Sequence, residues 1–245
     1  MSTGLSVYLL MAGQGVRFKG SHPETPKPLI SYKGEPLLLH ALKSLLPLKG
    51  LFDLHFVVCE GDPLKPQLKP YLDSPFGRAN LVILPERQNG PAKSASLAVQ
   101  LAPPKSHLLF LDCDLNFTSA DYFQHILKDI EGAGTGALCS FQSDQSRFSY
   151  LGTGADGFVK EVAEKKVISS QAIIGSYYLS QSARAVPFLE SAQSKDSERS
   201  EVFMSDVIQD MMGSGVPFKA YNSDTYQSFG TPRELTSEEL KTTDP

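Results

Sequence analysis

Continuous apolar runs alternate with stretches of helical spacing through the first 140 residues. LSVYLL (5–10) has no polar alternation, as expected of a strand covered on both faces. LHFVVC (54–59), NLVILP (80–85), SHLLFLDCD (106–114) and GALCSF (136–141) are of the same type. Between them, PLLLHALKSLL (36–46) has helical spacing and opens on Pro36, a residue suited to a first helical turn. AKSASLAVQLA (92–102) reads as a helix of small residues, and SADYFQHILKDI (119–130) as a helix with Ser119 as its N-cap. LKPQLKPYL (64–72) is ambiguous, because Pro66 and Pro70 interrupt any helix. This alternation predicts an α/β fold, a mostly parallel mixed sheet with helices on both faces.

The second half changes character. FSYLGTGADGFVKEVAEK (148–165) places turn residues between two alternating stretches and predicts a hairpin. AIIGSYYL (172–179) predicts another strand, followed by helices near 181–193 and 203–213. SAQSKDSERS (191–200) is polar and reads as a mobile loop, and the tail after Glu238 as frayed. The expectation is one domain over 1–245: a sheet with a β-rich insertion, closed by the C-terminal segment. Ligands in such sheets bind beyond the carboxyl ends of the strands, and the motifs below fall at those ends.

Composition narrows the class. The chain has 245 residues, 41% of them hydrophobic and 20% charged, enough for a core without staples. Cys59, Cys113 and Cys139 are far apart and form no zinc spacing, so they read as small core residues. A formal net charge of −4 gives no support for a nucleic-acid surface. No apolar stretch reaches the roughly 20 residues of a membrane helix. The N-terminus lacks the basic region and cleavage site of a signal peptide. The expectation is a cytoplasmic protein without nucleic-acid or membrane partners.

The chemistry starts at AGQGVRF (12–18). Gly13 and Gly15 permit positive φ and close backbone approach, and successive backbone N–H groups there can form an anion nest. Arg17 adds a forked donor matching phosphate oxygens. Lys27, between Pro26 and Pro28, is an ammonium on a restricted backbone. The P-loop pattern is absent, and Phe18 stands at the third glycine of a dinucleotide fingerprint. Further on, LLFLDCDLNF ends an apparent strand with Asp112 and Asp114. Residues two apart on a strand share a face, and two carboxylates suit Mg²⁺.

Gly13-x-Gly15-x-Arg17-Phe18 followed by Pro26-Lys27-Pro28-Leu29 resembles the opening of the sugar-1-phosphate nucleotidyltransferase superfamily, to which glucose-1-phosphate thymidylyltransferase belongs. GEPLLLHALKSL resembles its first helix. PERQNGPAKSASLA (85–98) resembles its GTA segment, with Pro91 and Lys93 in place of the usual threonine and histidine, and Pro85 where several members carry a base-reading glutamine. GFVKEVAEKK resembles the EKP motif, and AIIGSYYL the strand after it. SEVFMSDVIQDMM (200–212) resembles the late E-x-x-x-T-D-x-I helix, and YQSFGTPREL (226–235) the closing W-x-D-x-GTP-x-x-L, with Tyr226 for the tryptophan and Ser228 where the second metal-binding aspartate usually stands. These blocks run in the family's order from about residue 5 to 236.

The resemblance implies a nucleotide-diphospho-sugar transferase fold of the GT-A-like type, with a nucleotide-binding half (1–115), an acceptor-binding half (116–236) and a tail (237–245). It implies an NTP and a phosphorylated small-molecule acceptor, a sugar 1-phosphate first of all, with Mg²⁺ as cofactor. It assigns Arg17, Lys27 and Lys165 to catalysis, and Ala12, Gly13, Gly15, Gly90 and Asp112 to the nucleotide. Glu164, Lys165 and Gly175 go to the acceptor, and Asp112 and Asp114 to the metal. Ser228 leaves several outcomes open: fewer protein ligands, ligation through water, recruitment of Asp114 or Asp224, or lost catalysis. Three rival functions stand beside the first. A cytidylyltransferase for a non-sugar phosphate such as phosphocholine would use aromatics such as Tyr150, Tyr177 and Tyr178, which are more economically core. A GT-A glycosyltransferase or a non-catalytic nucleotide sensor would also fit parts of the pattern. Family members are often homo-oligomers, but no interface pattern is evident in the sequence.

Overall fold

The structure is a computed structural model. It describes residues 4–132, 134–195 and 201–236, and the backbone of 241–242. Its elements, in chain order, are β1 (Leu5–Leu10), β2 (Ser31–Tyr32), β3 (Glu35–Pro36), α1 (Leu37–Lys43), β4 (Phe52–Cys59), α2 (Leu64–Gln67), β5 (Asp73–Ser74), β6 (Gly77–Leu84), α3 (Pro91–Leu101) and β7 (His107–Asp112). Then follow β8 (Leu115–Thr118), α4 (Ala120–Asp129), β9 (Gly136–Gln142), β10 (Tyr150–Thr153), β11 (Val159–Ala163), β12 (Gln171–Leu179), α5 (Ser182–Ser191) and α6 (Met204–Gly213). β13 (Phe218–Asn222), β14 (Thr225–Ser228), α7 (Pro232–Thr236) and β15 (Lys241–Thr242) close the chain.

The centre of the main sheet is the parallel set β7-β1-β4-β6. β12 joins antiparallel to β7 and also pairs with β9 and with the start of β10. β13 runs parallel to β9 at one edge, and the hairpin β10–β11 extends the sheet elsewhere. The α/β reading therefore holds, with parallel strands in the middle and antiparallel ones toward the second half. A separate sheet of β8, β14 and β15 folds the C-terminal segment back over the strand that carries the aspartates.

Alternation along the central strands explains why helices cover both faces. Leu5, Val7 and Leu9 of β1, with Leu109 and Leu111 of β7, point to one core together with α1, α2 and α4. Tyr8, Leu108 and Phe110 point to the opposite core with α3, α5 and α6. Both sets are fully buried, which is why these strands lack polar alternation. The alanines of α3 (Ala92, Ala95 and Ala98) let that helix lie close to the sheet.

Several boundaries differ from the sequence reading. Pro36 is extended (ψ 149°) and caps α1 from outside; it pairs in the small β2–β3 ribbon instead of opening the helix. α1 stops at Lys43, ahead of Pro47, whose ring would collide with the carbonyl four residues back. The ambiguous stretch 64–72 resolves into the four-residue α2 and a 3-10 turn at Lys69–Tyr71. Ser119 caps α4 as expected, accepting from the Tyr122 N–H at 3.4 Å. β7 ends at Asp112, so Asp114 lies in the bend beyond it. There the Asp114 carbonyl accepts from the Phe229 N–H (2.7 Å) as the chain turns to pair β8 with β14. The expected mobile loop begins as the end of α5 and a 3-10 turn (Ala192–Ser194); residues 196–200 and most of the tail fall outside the described residues.

Candidate active site

The turn after β1 is shaped by alternating burial. Val16 and Arg17 are exposed, while Phe18 packs into a small cluster with Ile30, Tyr32, Leu37 and Phe229. Phe18 thus anchors the turn and leaves Arg17 free to project into the cleft, with no ion pair to any described residue. Gly15 adopts φ +59°, and an added Cβ there would lie 3.1 Å from the Lys27 Cβ. The glycine lets the turn rest directly on the PKPL segment. Gly13 has no such neighbour; its exposed backbone faces the cleft.

The sequence reading missed Arg87. Its guanidinium donates through Nη1 to the Ala12 carbonyl and through Nη2 to Asp62 Oδ2 (2.8 Å). Ala12 therefore contributes backbone to the site, clasped from the β6–α3 loop. The only local signal was an arginine beside the glycine of the GTA-like segment. Gly90 in that segment takes φ +105°, and an added Cβ would come within 2.6 Å of the Val202 nitrogen. Val202 bridges the segment: its N–H donates to the Asn89 carbonyl and its carbonyl accepts from the Ala92 N–H, both at 3.1 Å. The 201–203 strip is thereby fixed to the N-terminus of α3.

The two aspartates meet at the cleft floor. Lys27 forms an ion pair with Asp114 and sits 5.4 Å from the centre of the Phe18 ring. Burial works against the Lys27 charge, but Asp114 outweighs it and holds the ammonium above the usual lysine range. Asp112 is pushed up to about 7 by burial and by Asp114, with Lys27 opposing. Gly175 explains how Asp112 fits: an added Cβ there would stand 2.6 Å from the Asp112 Cγ. β12 shifts register against β9 between Ile173 and Tyr177, around this glycine. The position expected to touch an acceptor is thus first of all the space that Asp112 occupies.

Glu164 and Lys165 follow β11. The Glu164 carboxylate accepts from the hydroxyls of Ser149 and Ser205 (2.7 Å for the latter), which fix its orientation. Lys165 has φ +54°, and its ammonium lies 4.3 Å from the centre of the Phe203 ring. Arg147 also reaches this region, stacked over Phe148 and paired with Glu234. Nothing local in SDQSRFSY marked it. Tyr178 and Tyr150 are core, as expected: the Tyr178 hydroxyl meets Asp129 and His107, and that of Tyr150 the Gln145 carbonyl. Tyr177 is also part of the core and touches the cleft.

Two cavities adjoin here. One, of about 750 Å³, runs along residues 10–17 and 87–91 and ends on Asp112–Asp114. The other, of about 260 Å³, runs from the aspartates to Arg147, Glu164, Lys165, Phe203 and Tyr226. Arg17, Pro91, Asp112, Asp114 and Glu201 line both. The structure thus gathers every expected site residue on this double cleft or in direct contact with its walls. Two substrates bound side by side would meet at the aspartates.

The carboxylate pair also suits a cation. Burial penalises the charge on Asp112, and hard oxygens on a cleft floor are what Mg²⁺ takes. Among the described residues no cluster of three or more acidic, histidine or cysteine side chains forms a ligand set. Ser228 receives the Gly230 N–H at 3.3 Å on the cleft wall. Asp224 is committed elsewhere, accepting from the Ala120 N–H (3.0 Å) at the start of α4. Of the two recruits considered, only Asp114 lies at the site.

A parallel-centred sheet with helices on both faces and its cleft at the strand carboxyl ends, with a glycine turn at the first and carboxylates at the fourth, is a doubly wound α/β architecture with its ligand site where such sheets bind. The model of the MobA-like NTP transferase domain family matches residues 7–205. The chain belongs to that family. It is 26% identical over 162 residues to the bifunctional protein GlmU of Paraburkholderia phytofirmans, a match covering 66% of this chain and 34% of that protein. A nucleoside-diphosphate-sugar pyrophosphorylase structure from Vibrio cholerae RC9 superposes with a TM-score of 0.80 at 19% identity, covering 94% of this chain and 98% of the other. A glucose-1-phosphate thymidylyltransferase structure from Bacillus anthracis gives 0.77 at 17% identity, covering 95% and 93%. Among the described residues no helix is long and apolar enough to cross a membrane.

Proposed function

We propose that the chain transfers an NMP group from an NTP to a sugar 1-phosphate, giving a nucleotide sugar and pyrophosphate. An acceptor phosphate oxygen attacks the α-phosphorus, the α–β bridging P–O bond breaks, and pyrophosphate leaves. The observation that carries this is the pair of cavities meeting at Asp112 and Asp114, one walled by the glycine turn and the other by Glu164 and Lys165. No covalent intermediate on the protein is needed, so the work is positioning and charge stabilisation.

In this reading residues 1–115 form the nucleotide half, with Gly13, Gly15 and Gly90 presenting backbone and Arg17 and Lys27 holding the triphosphate. Ala12 is kept in place by Arg87. Residues 116–236 form the acceptor half, with Lys165 orienting the acceptor phosphate. Glu164, fixed by two serines, takes the sugar hydroxyls, and Gly175 makes room for Asp112. Asp112 and Asp114 would hold Mg²⁺, which when bound supplies Lewis-acid charge at the phosphate oxygens. The Lys27–Asp114 pair keeps the ammonium beside that position. An acceptor with a quaternary amine fits less well: the faces of Phe148 and Phe203 that would cage it carry Arg147 and Lys165.

The test is pyrophosphate release across a matrix of NTPs and phosphorylated acceptors, with and without Mg²⁺. Metal-dependent release from one NTP and one sugar 1-phosphate is expected. Release with phosphocholine alone, or none with any sugar 1-phosphate, removes the acceptor assignment.

A further inference from the structure

The geometry points to Arg147 as a second phosphate-binding residue of the acceptor cavity, a forked partner to Lys165 that is positioned by Glu234. This rests on the nucleotidyl-transfer reading above and adds to it a residue that no motif marked.

Arg147 is held on three sides. Its Nε donates to Gln145 Oε1 at 2.9 Å, its Nη2 donates to Glu234 Oε1, and its plane lies 4.3 Å over the Phe148 ring. Guanidinium has five N–H donors, and those of Nη1 have no hydrogen-bond partner among the described residues. Both Arg147 and Phe148 line the 260 Å³ cavity. A guanidinium held by packing and two acceptors on a cavity wall is pre-organised for an anionic oxygen.

Its holder is placed close to the chemistry. Thr231 donates to Glu234 at 3.1 Å, and Arg147 keeps the Glu234 carboxyl below the usual range despite burial. An added Cβ on Gly230 would lie 3.4 Å from Glu234 Oε2 and 3.7 Å from Asp114 Oδ2. The Glu234–Arg147 pair therefore stands one glycine away from the carboxylates where the two cavities join. Arg147 thus lines the same cavity as Lys165, Asp112 and Asp114.

The test uses the full chain with two readouts. Binding of inorganic phosphate is followed by calorimetry in wild type, Arg147→Ala, Arg147→Lys, Glu234→Gln and Lys165→Ala. Arg147→Ala is expected to weaken the same phosphate site as Lys165→Ala by about ten- to a hundredfold, the usual range for losing a charge-assisted contact. Arg147→Lys keeps the charge but loses the fork and should recover only part of it; Glu234→Gln should weaken it by a smaller factor. The second readout is steady-state turnover, in which Arg147→Ala raises the acceptor KM and leaves the NTP KM near wild type. Wild-type phosphate binding in both Arg147 variants overturns the inference, whether or not the enzyme turns over. An Arg147-dependent phosphate site in a protein that turns over no NTP–acceptor pair keeps the inference and sinks the transfer reading instead.

Discussion

The two cavities are built in different ways. The larger is walled mainly by two short consecutive stretches, residues 10–17 and 87–91, which include Gly13, Gly15 and Gly90. The smaller is assembled from many separate places: β7, the loop before β10, the residues after β11, β12, the strip before α6 and the closing segment. A backbone site needs only that glycines stand where the chain turns. A side-chain site needs the whole sheet to be in register, and it is tied together by pairs such as Glu164–Ser205 and Arg147–Glu234. In the proposed function the first would take the triphosphate and the second would choose the acceptor.

That contrast can be broken at several places. The largest effect is expected at the junction. Lys27→Ala and Asp112→Asn should each lower kcat by about 10²–10³-fold, the usual loss of one electrostatic group at developing charge. Steady-state kinetics with the cognate pair checks this, and near-normal turnover in either variant would remove its role. Next, Gly90→Ala should cost about 2–4 kcal/mol of stability, because it combines a positive φ with a collision against the Val202 backbone. Thermal unfolding reads this, and an unchanged Tm would mean that the 201–203 strip is not fixed as described. Gly175→Ala should then lower turnover about tenfold by displacing Asp112, with Tm less affected than for Gly90→Ala. Equal losses of Tm in the two variants would erase the distinction between a glycine that supports the fold and one that accommodates a site residue.

The smallest effect concerns acid stability, away from both cavities. Burial holds His55 and His107 below the usual histidine value, with nearby carboxylates only partly opposing. The unfolded chain then binds more protons than the folded one around their ordinary value near 6.5. Their contribution to stability is present above that value and is lost as pH falls below it. Asp112, raised by burial, works the other way over the same window, because there the folded chain binds the extra proton. The histidine contribution is therefore read by difference: from pH 7.5 to 5.5 the Tm of wild type should lose more, or gain less, than that of His107→Gln. An equal change in the two would remove His107 from this account.

Legibility followed the same division. The glycine turn, Arg17, Lys27 and the DCD sequence were readable because each is a local pattern at the end of a buried run. So were the central strands, whose unbroken apolarity reflects cover on both faces. Arg87 and Arg147 were not readable, since an isolated arginine in a polar loop looks the same whether it faces water or a cavity. Pro36 misled because proline serves equally as a first helical residue and as an extended cap. Asp114 lines the same cavities as Asp112, but from the bend beyond the strand and not from the strand itself, which ends two residues earlier.

The sequence alone determined the layered α/β class, the order of its central elements and the glycine turn at the first strand end. These depend on period, turn residues and neighbours in the chain. Tertiary structure decided that Gly175 yields its space to Asp112, that Gly90 receives Val202, and that Glu234 reaches Arg147 across 87 residues. Such contacts depend on strand register and loop path, which are set by burial summed over the whole core and leave no mark on any single residue.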